Sequence, residues 1–196
     1  TIPSTIDGYS VTHIGDRAFL PTSGVHGGVV TSLSLPDSLI SIGEYAFYNH
    51  KLTTLTIPDS VATILEGAFE DNELTNLTLG SGLVRIGESA FLANKLTSVD
   101  FLNVSIIEQY AFIENSIAEL IFPDAITEIG YRAFVENPLT SAQFLGNRPS
   151  LNRPFGSIQL NKITYCSDKT GWPGEKVYEV DGDTPIPDCD ADGVLD

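Results

Sequence analysis

The feature that most constrains this chain is a repeat. An Ala-Phe pair occurs at Ala18-Phe19, Ala46-Phe47, Ala68-Phe69, Ala90-Phe91, Ala111-Phe112 and Ala133-Phe134, in steps of 28, 22, 22, 21 and 22 residues. A fixed period of this size is the mark of a solenoid. Aligned on the pair, residues 30–51, 52–73, 74–95, 96–116 and 117–138 share the pattern L-T-x-L-x-I-P-[D/S]-x-[L/V]-x-x-I-G-E-x-A-F-x-x-N-x. Residues 1–19 form an imperfect copy: Ile2-Pro3-Ser4 matches Ile57-Pro58-Asp59, and Val11, Ile14 and Gly15 match the second half. The first strand of that copy is expected before residue 1.

Each part of the unit has a physical reading. Leu55 and Ile57 are two apart, so both point to one side of a short strand. Their equivalents are Leu33/Leu35, Leu77/Leu79, Val99/Phe101, Leu120/Phe122 and Ala142/Phe144. Pro58 ends the strand because it has no N–H for the ladder. Val61, Ile64 and Ala68 are spaced three and four apart, which predicts a short helical stretch with an apolar side. Asp59-Ser60 stands where its N-cap would be. Phe69 and its relatives are expected to stack as an aromatic spine. One unit cannot bury its apolar side alone, whereas stacked units can, each touching only its neighbours. Parallel strands ~4.8 Å apart would form a sheet along one side, with six or so coils spanning roughly 30 Å.

The core Ile-Pro-x-x-[Val/Leu]-x-x-Ile-Gly-x-x-Ala-Phe resembles the BspA-like leucine-rich repeats of bacterial surface proteins and some protist ones, over about residues 1–145. The expected fold is an α/β repeat solenoid of the leucine-rich-repeat kind. Short parallel strands would lie on one face and short helices or turns on the other, right-handed by the usual crossover preference. The resemblance implies a non-enzymatic, extracellular or cell-surface recognition or adhesion module, with a protein or glycan partner on a host or neighbouring cell. A structural spacer within a larger calcium-stabilised surface protein is the alternative, and an enzyme a third. In the better-known leucine-rich pattern an Asn follows the strand. Here Pro36, Pro58, Gly80 or Pro123 occupies that turn, so the ordinary Asn ladder is not carried over.

The departures from the period divide the chain. Residues 1–144 are repeats, interrupted by a Gly-rich insertion at 20–28 that is either a binding loop or a tolerated surface loop. Residues 145–178 are expected to cap the core, with one or two strands in 157–165 and a turn at Trp172. Residues 179–196 read as an acidic linker. There the Asp-rich stretch Asp188, Asp190, Asp192, Gly193 and Asp196 places oxygen ligands at alternate positions. It resembles the first half of an EF-hand loop and, more closely, a thrombospondin type 3 calcium repeat, so Ca2+ is a possible ligand and a frayed tail the other reading. Cys166 and Cys189 are either a disulfide, contributing ~3 kcal/mol in the loop-entropy model, or two free thiols. With no His nearby, zinc is disfavoured.

Charge narrows the partners. The 26 acidic and 10 basic residues give a formal net charge of −16, which argues against nucleic acid and anionic lipid. No apolar run is long enough to span a membrane. His13, His26 and His50 stand alone, His50 in a turn that reads as solvated, and no nucleophile elbow appears. Glu70-Asp71 falls on a turn between units and reads as solvating. The candidate ligand-binding residues lie between the inward-facing strand positions: Ser34, Thr54, Thr56, Asn76, Thr78, Ser98, Asp100, Glu119 and Gln143. They form a ladder of small polar side chains suited to many weak hydrogen bonds, although Thr and Ser are also good solvated strand residues.

Overall fold

The computed structural model describes residues 1–21, 30–156, 160, 162–165 and 170. The chain is a parallel β-solenoid whose coil is the 22-residue period. On the side that carries Leu55 and Ile57, Thr54–Thr56 pairs in parallel with Asn76–Thr78, and Glu119–Phe122 pairs with Ser141–Phe144, which pairs with Lys162–Tyr165. On the other side, seven two-residue strands form one parallel sheet. They are His13–Ile14, Ser41–Ile42, Thr63–Ile64, Arg85–Ile86, Ile106–Ile107, Glu128–Ile129 and Ser150–Leu151, stacked in chain order. The parallel pairing thus continues past residue 144, and the described part of 157–165 contains the strand Lys162–Tyr165. An antiparallel hairpin, Thr5–Ile6 with Tyr9–Ser10, absorbs the extra residues of the first unit.

The expected helix is absent: no described residue is helical. Two causes are visible. The residue before each Ala-Phe pair is left-handed, with φ of 56° at Arg17, 51° at Tyr45, 57° at Gly67, 53° at Ser89, 58° at Tyr110 and 53° at Arg132, and a right-handed helix cannot pass through such a residue. The amides there also donate to the next coil, as in Tyr45 to Glu66 O, Phe47 to Ala68 O and Asn49 to Glu70 O, each at 2.8–2.9 Å. The spacing of Val61, Ile64 and Ala68 therefore records a backbone that bends around the core. The Gly of Ile-Gly serves the same stacking: a Cβ on Gly130 would lie 2.4 Å from the Gln109 amide nitrogen of the preceding coil.

The core is the expected aromatic spine and its surroundings. Phe19, Phe47, Phe69, Phe91, Phe112 and Phe134 stack with ring centroids 4.9, 5.4, 5.6, 5.2 and 5.4 Å apart. A second stack joins Phe101, Phe122 and Phe144 at 5.5 and 4.8 Å. Phe19, at the end of the spine, is 40% exposed; burial of each of the other rings contributes about 1.5–3 kcal/mol.

A buried Asn ladder runs beside the spine, at a different position from the ordinary one. Asn72, Asn94, Asn115 and Asn137 each donate from Nδ2 to the Phe carbonyls of their own and the preceding coil. Each Oδ1 accepts the amide of the residue that opens the same unit: Leu52, Leu74, Leu96 and Ile117, at 3.1, 3.0, 3.0 and 2.9 Å. The Asn therefore closes its own coil and ties it to the one before. His50 takes this place in the 30–51 unit, which corrects the expectation of a solvated side chain. It is 6% exposed, and its Nε2 donates to Phe19 O at 2.8 Å. Its Nδ1 has no hydrogen-bond partner among the described residues.

The 96–116 unit is one residue short, and the missing residue falls between Phe101 and Val104. Leu102 makes the tightened turn with φ of 47°, and its amide donates to Asp100 Oδ1 at 3.2 Å. Residues 98–100 enter no strand ladder, so the sheet on this side is interrupted there, while the seven-stranded sheet opposite is continuous.

Candidate binding face

Alternation sorts the strand residues. In Thr54–Thr56 the middle Leu55 is buried and both Thr are exposed, and Glu119–Phe122 alternates exposed and buried. Ser34, Asn76, Thr78, Ser98 and Asp100 are exposed, and Gln143 is half-buried beside the Lys162–Tyr165 strand. Every residue singled out from the sequence on this side therefore stands outward. Register aligns them in two columns: Thr54 beside Asn76 and Glu119 beside Ser141 in one, Thr56 beside Thr78 and Ile121 beside Gln143 in the other. Neighbouring side chains in a column stand one strand spacing apart, ~4.8 Å.

Part of the hydroxyl ladder serves the fold. Thr75 Oγ1 donates to Thr53 O at 3.2 Å and to Asn76 Oδ1 at 3.0 Å, and Thr140 Oγ1 donates to Ala118 O at 3.1 Å. These belong to the column just upstream of the two outward ones. Among the described residues no partner engages the hydroxyls of Thr54, Thr56 or Thr78. At the N-terminal end of the face an open groove of about 650 Å³ lies between Ile2, Ser4, Ser10, Ser34 and Asp37.

A second group of polar residues gathers around Glu70, which the sequence reads as solvating. The Tyr45 hydroxyl donates to Glu66 Oε1, and this bond, with burial and the charges of Glu66, Glu70 and Glu88, pushes its pKa up to about 12. Glu70 is half-buried. Burial first, then the charges of Asp71 and Glu66, raises its pKa to about 7. The Arg17 guanidinium sits over the Tyr45 ring at 5.7 Å. No group of three or more His, Cys, Asp or Glu among the described residues is placed to hold a metal ion. Nor does any helix among them have the length and apolarity to cross a membrane.

Cys166, Cys189, Trp172, Asp188, Asp190, Asp192, Asp196 and residues 22–28 of the insertion lie outside the described residues. The polar side chains whose placement sequence reasoning missed are His50, Glu70 and Tyr45. His50 was visible in the alignment, because it occupies the column of Asn72, Asn94, Asn115 and Asn137. Nothing in the sequence signals the contact between Tyr45 and Glu66, which is made between coils.

Residues 12–140 match, in six copies, the family model described as BspA type leucine rich repeat region. Among solved structures, the chain is similar to a leucine-rich repeat protein from Bacteroides ovatus ATCC 8483, with 21% identity and a TM-score of 0.48. That alignment covers 84% of this chain and 54% of the other, so the chain spans about half the length of that protein. No curated protein matches.

Proposed function

The chain belongs to the BspA-type leucine-rich-repeat family, and we propose that it is a non-enzymatic recognition module, displayed at a cell surface or secreted. It binds a protein or glycan along the outward face of the Thr54–Thr56 and Asn76–Thr78 strands and their neighbours. One observation carries this reading: the outward side chains stand in register from coil to coil, and the hydroxyls of Thr54, Thr56 and Thr78 have no partner among the described residues. A rigid array of this kind offers many weak, evenly spaced hydrogen bonds at little ordering cost. The test is binding to an array of defined glycans and purified extracellular proteins, using the chain and its Thr56→Arg/Thr78→Arg variant. Hits that disappear in a variant of unchanged melting temperature support the proposal. Hits that survive it place recognition away from the Thr54–Thr56 and Asn76–Thr78 strands.

A further inference from the structure

The outward face changes chemistry along its length. In the 52–73 and 74–95 units its residues are uncharged: Thr54, Thr56, Asn76 and Thr78. In the next two units they are Ser98, Asp100, Glu119 and Ile121. The change falls at the interruption of strand pairing over residues 98–100. Ile121 is 56% exposed, a large apolar side chain standing outward among positions otherwise held by polar groups. Asp100 holds the same column one unit earlier, and Glu119 stands two residues before Ile121 on its own strand. Asp59, on the turn that rims the face, is kept ionised by hydrogen bonds from the Ser81 amide and hydroxyl, which lower its pKa. On this face, none of the outward positions from Ser32 to Gln143 holds a Lys or Arg.

This inference rests on the proposed function and narrows its partner. No outward position of this face from Ser98 to Gln143 is aromatic, so this half of it has no ring to stack on a sugar. A second copy of this chain would set acid against acid at Asp100 and Glu119. Nucleic acid is repelled by the same charges. An exposed apolar side chain flanked by carboxylates is complementary to a protein. We infer that the occupant of this half of the face is a basic protein segment that seats an apolar side chain against Ile121, with Lys or Arg side chains beside Asp100 and Glu119. The carboxylates set orientation and speed encounter, and the apolar contact holds the complex.

The test sets a library of short synthetic peptides, each with a central Leu and flanks that are basic, neutral or acidic, beside a glycan array. The expected result is selective binding of the basic peptides, weakening as salt is raised. Ile121→Ser and the Asp100→Asn/Glu119→Gln pair should each weaken binding on the order of tenfold, with the melting temperature unchanged. Preference for neutral or acidic peptides, or binding indifferent to Ile121→Ser, overturns the inference. Hits confined to the glycan array, lost in Thr56→Arg/Thr78→Arg, also overturn it while leaving recognition by this face standing. Silence on both arrays removes both.

Discussion

Turning the backbone is the main local difficulty in so short a coil, and left-handed residues solve it at two points per unit. Besides the residue before Ala-Phe, the one just before the ladder position is left-handed: Asn49, Asp71, Ala93, Glu114 and Glu136, with φ of 56°, 55°, 53°, 58° and 58°. A left-handed residue with a Cβ costs roughly 1–2 kcal/mol, which glycine avoids. Ala93, at φ 53°, is the clean case. Ala93→Gly is expected to stabilise the chain by up to about 1 kcal/mol, after the greater freedom of glycine in the unfolded chain is subtracted. Gly67→Ala should do the opposite by more than about 1 kcal/mol, because its φ is 57° and its Cβ would lie 2.3 Å from the Tyr45 ring. Urea denaturation of both variants checks the pair. Glu70 gives a pH signature at the same scale. Its pKa is raised from the ordinary 4.5 to about 7 in the folded chain, so between those values the folded state holds more protons than the unfolded one. Stability contributed by the protonated carboxyl is therefore lost as pH rises through that window. Glu70→Gln should flatten this fall, read as the urea midpoint measured across the same pH range.

Between residue and molecule stand the spine, the ladder and the two strand stacks. The Ala-Phe spacing made the period and the spine legible, because stacking demands the same residue at the same place in every coil. The alternation around Leu55 made the outward face legible for the same reason. The second sheet was not legible. The left-handed position before Ala-Phe is held by Arg, Tyr, Ser and only once Gly, so nothing in the residue types warned against reading Val61, Ile64 and Ala68 as a helix. The ladder was half legible. The Asn column could be aligned, yet its burial follows from the coil closing on itself, with Asn72 Oδ1 meeting the Leu52 amide 20 residues earlier. Asn94→Leu should orphan the Leu74 amide, at roughly 1–3 kcal/mol for that buried group, and leave the Phe69 carbonyl with only its bond from Asn72. His50→Asn should raise the melting temperature, since an amide side chain can both donate and accept where Nδ1 has no partner among the described residues. A neutral Asn94→Leu would mean that water reaches the ladder.

For the whole molecule, charge outweighs every other surface property. A net charge of −16 on 196 residues makes self-repulsion larger than the attraction in the two described ion pairs, Arg85–Glu108 and Lys95–Glu73, which are partly exposed. Added sodium chloride should therefore raise the melting temperature by screening, and a fall would show that attractive pairs dominate. The same repulsion is consistent with the proposed partner of opposite charge on the acidic half of the face. The central claim is that recognition belongs to the outward face of the Thr54–Thr56 side and not to the seven-stranded sheet opposite. The most direct measurement takes a ligand bound by the unaltered chain and compares its affinity for two double variants of equal stability: Thr56→Arg/Thr78→Arg on the first face and Val84→Arg/Glu128→Arg on the second. Loss of binding in the first with retention in the second is the predicted result, and retention in the first with loss in the second would contradict the account.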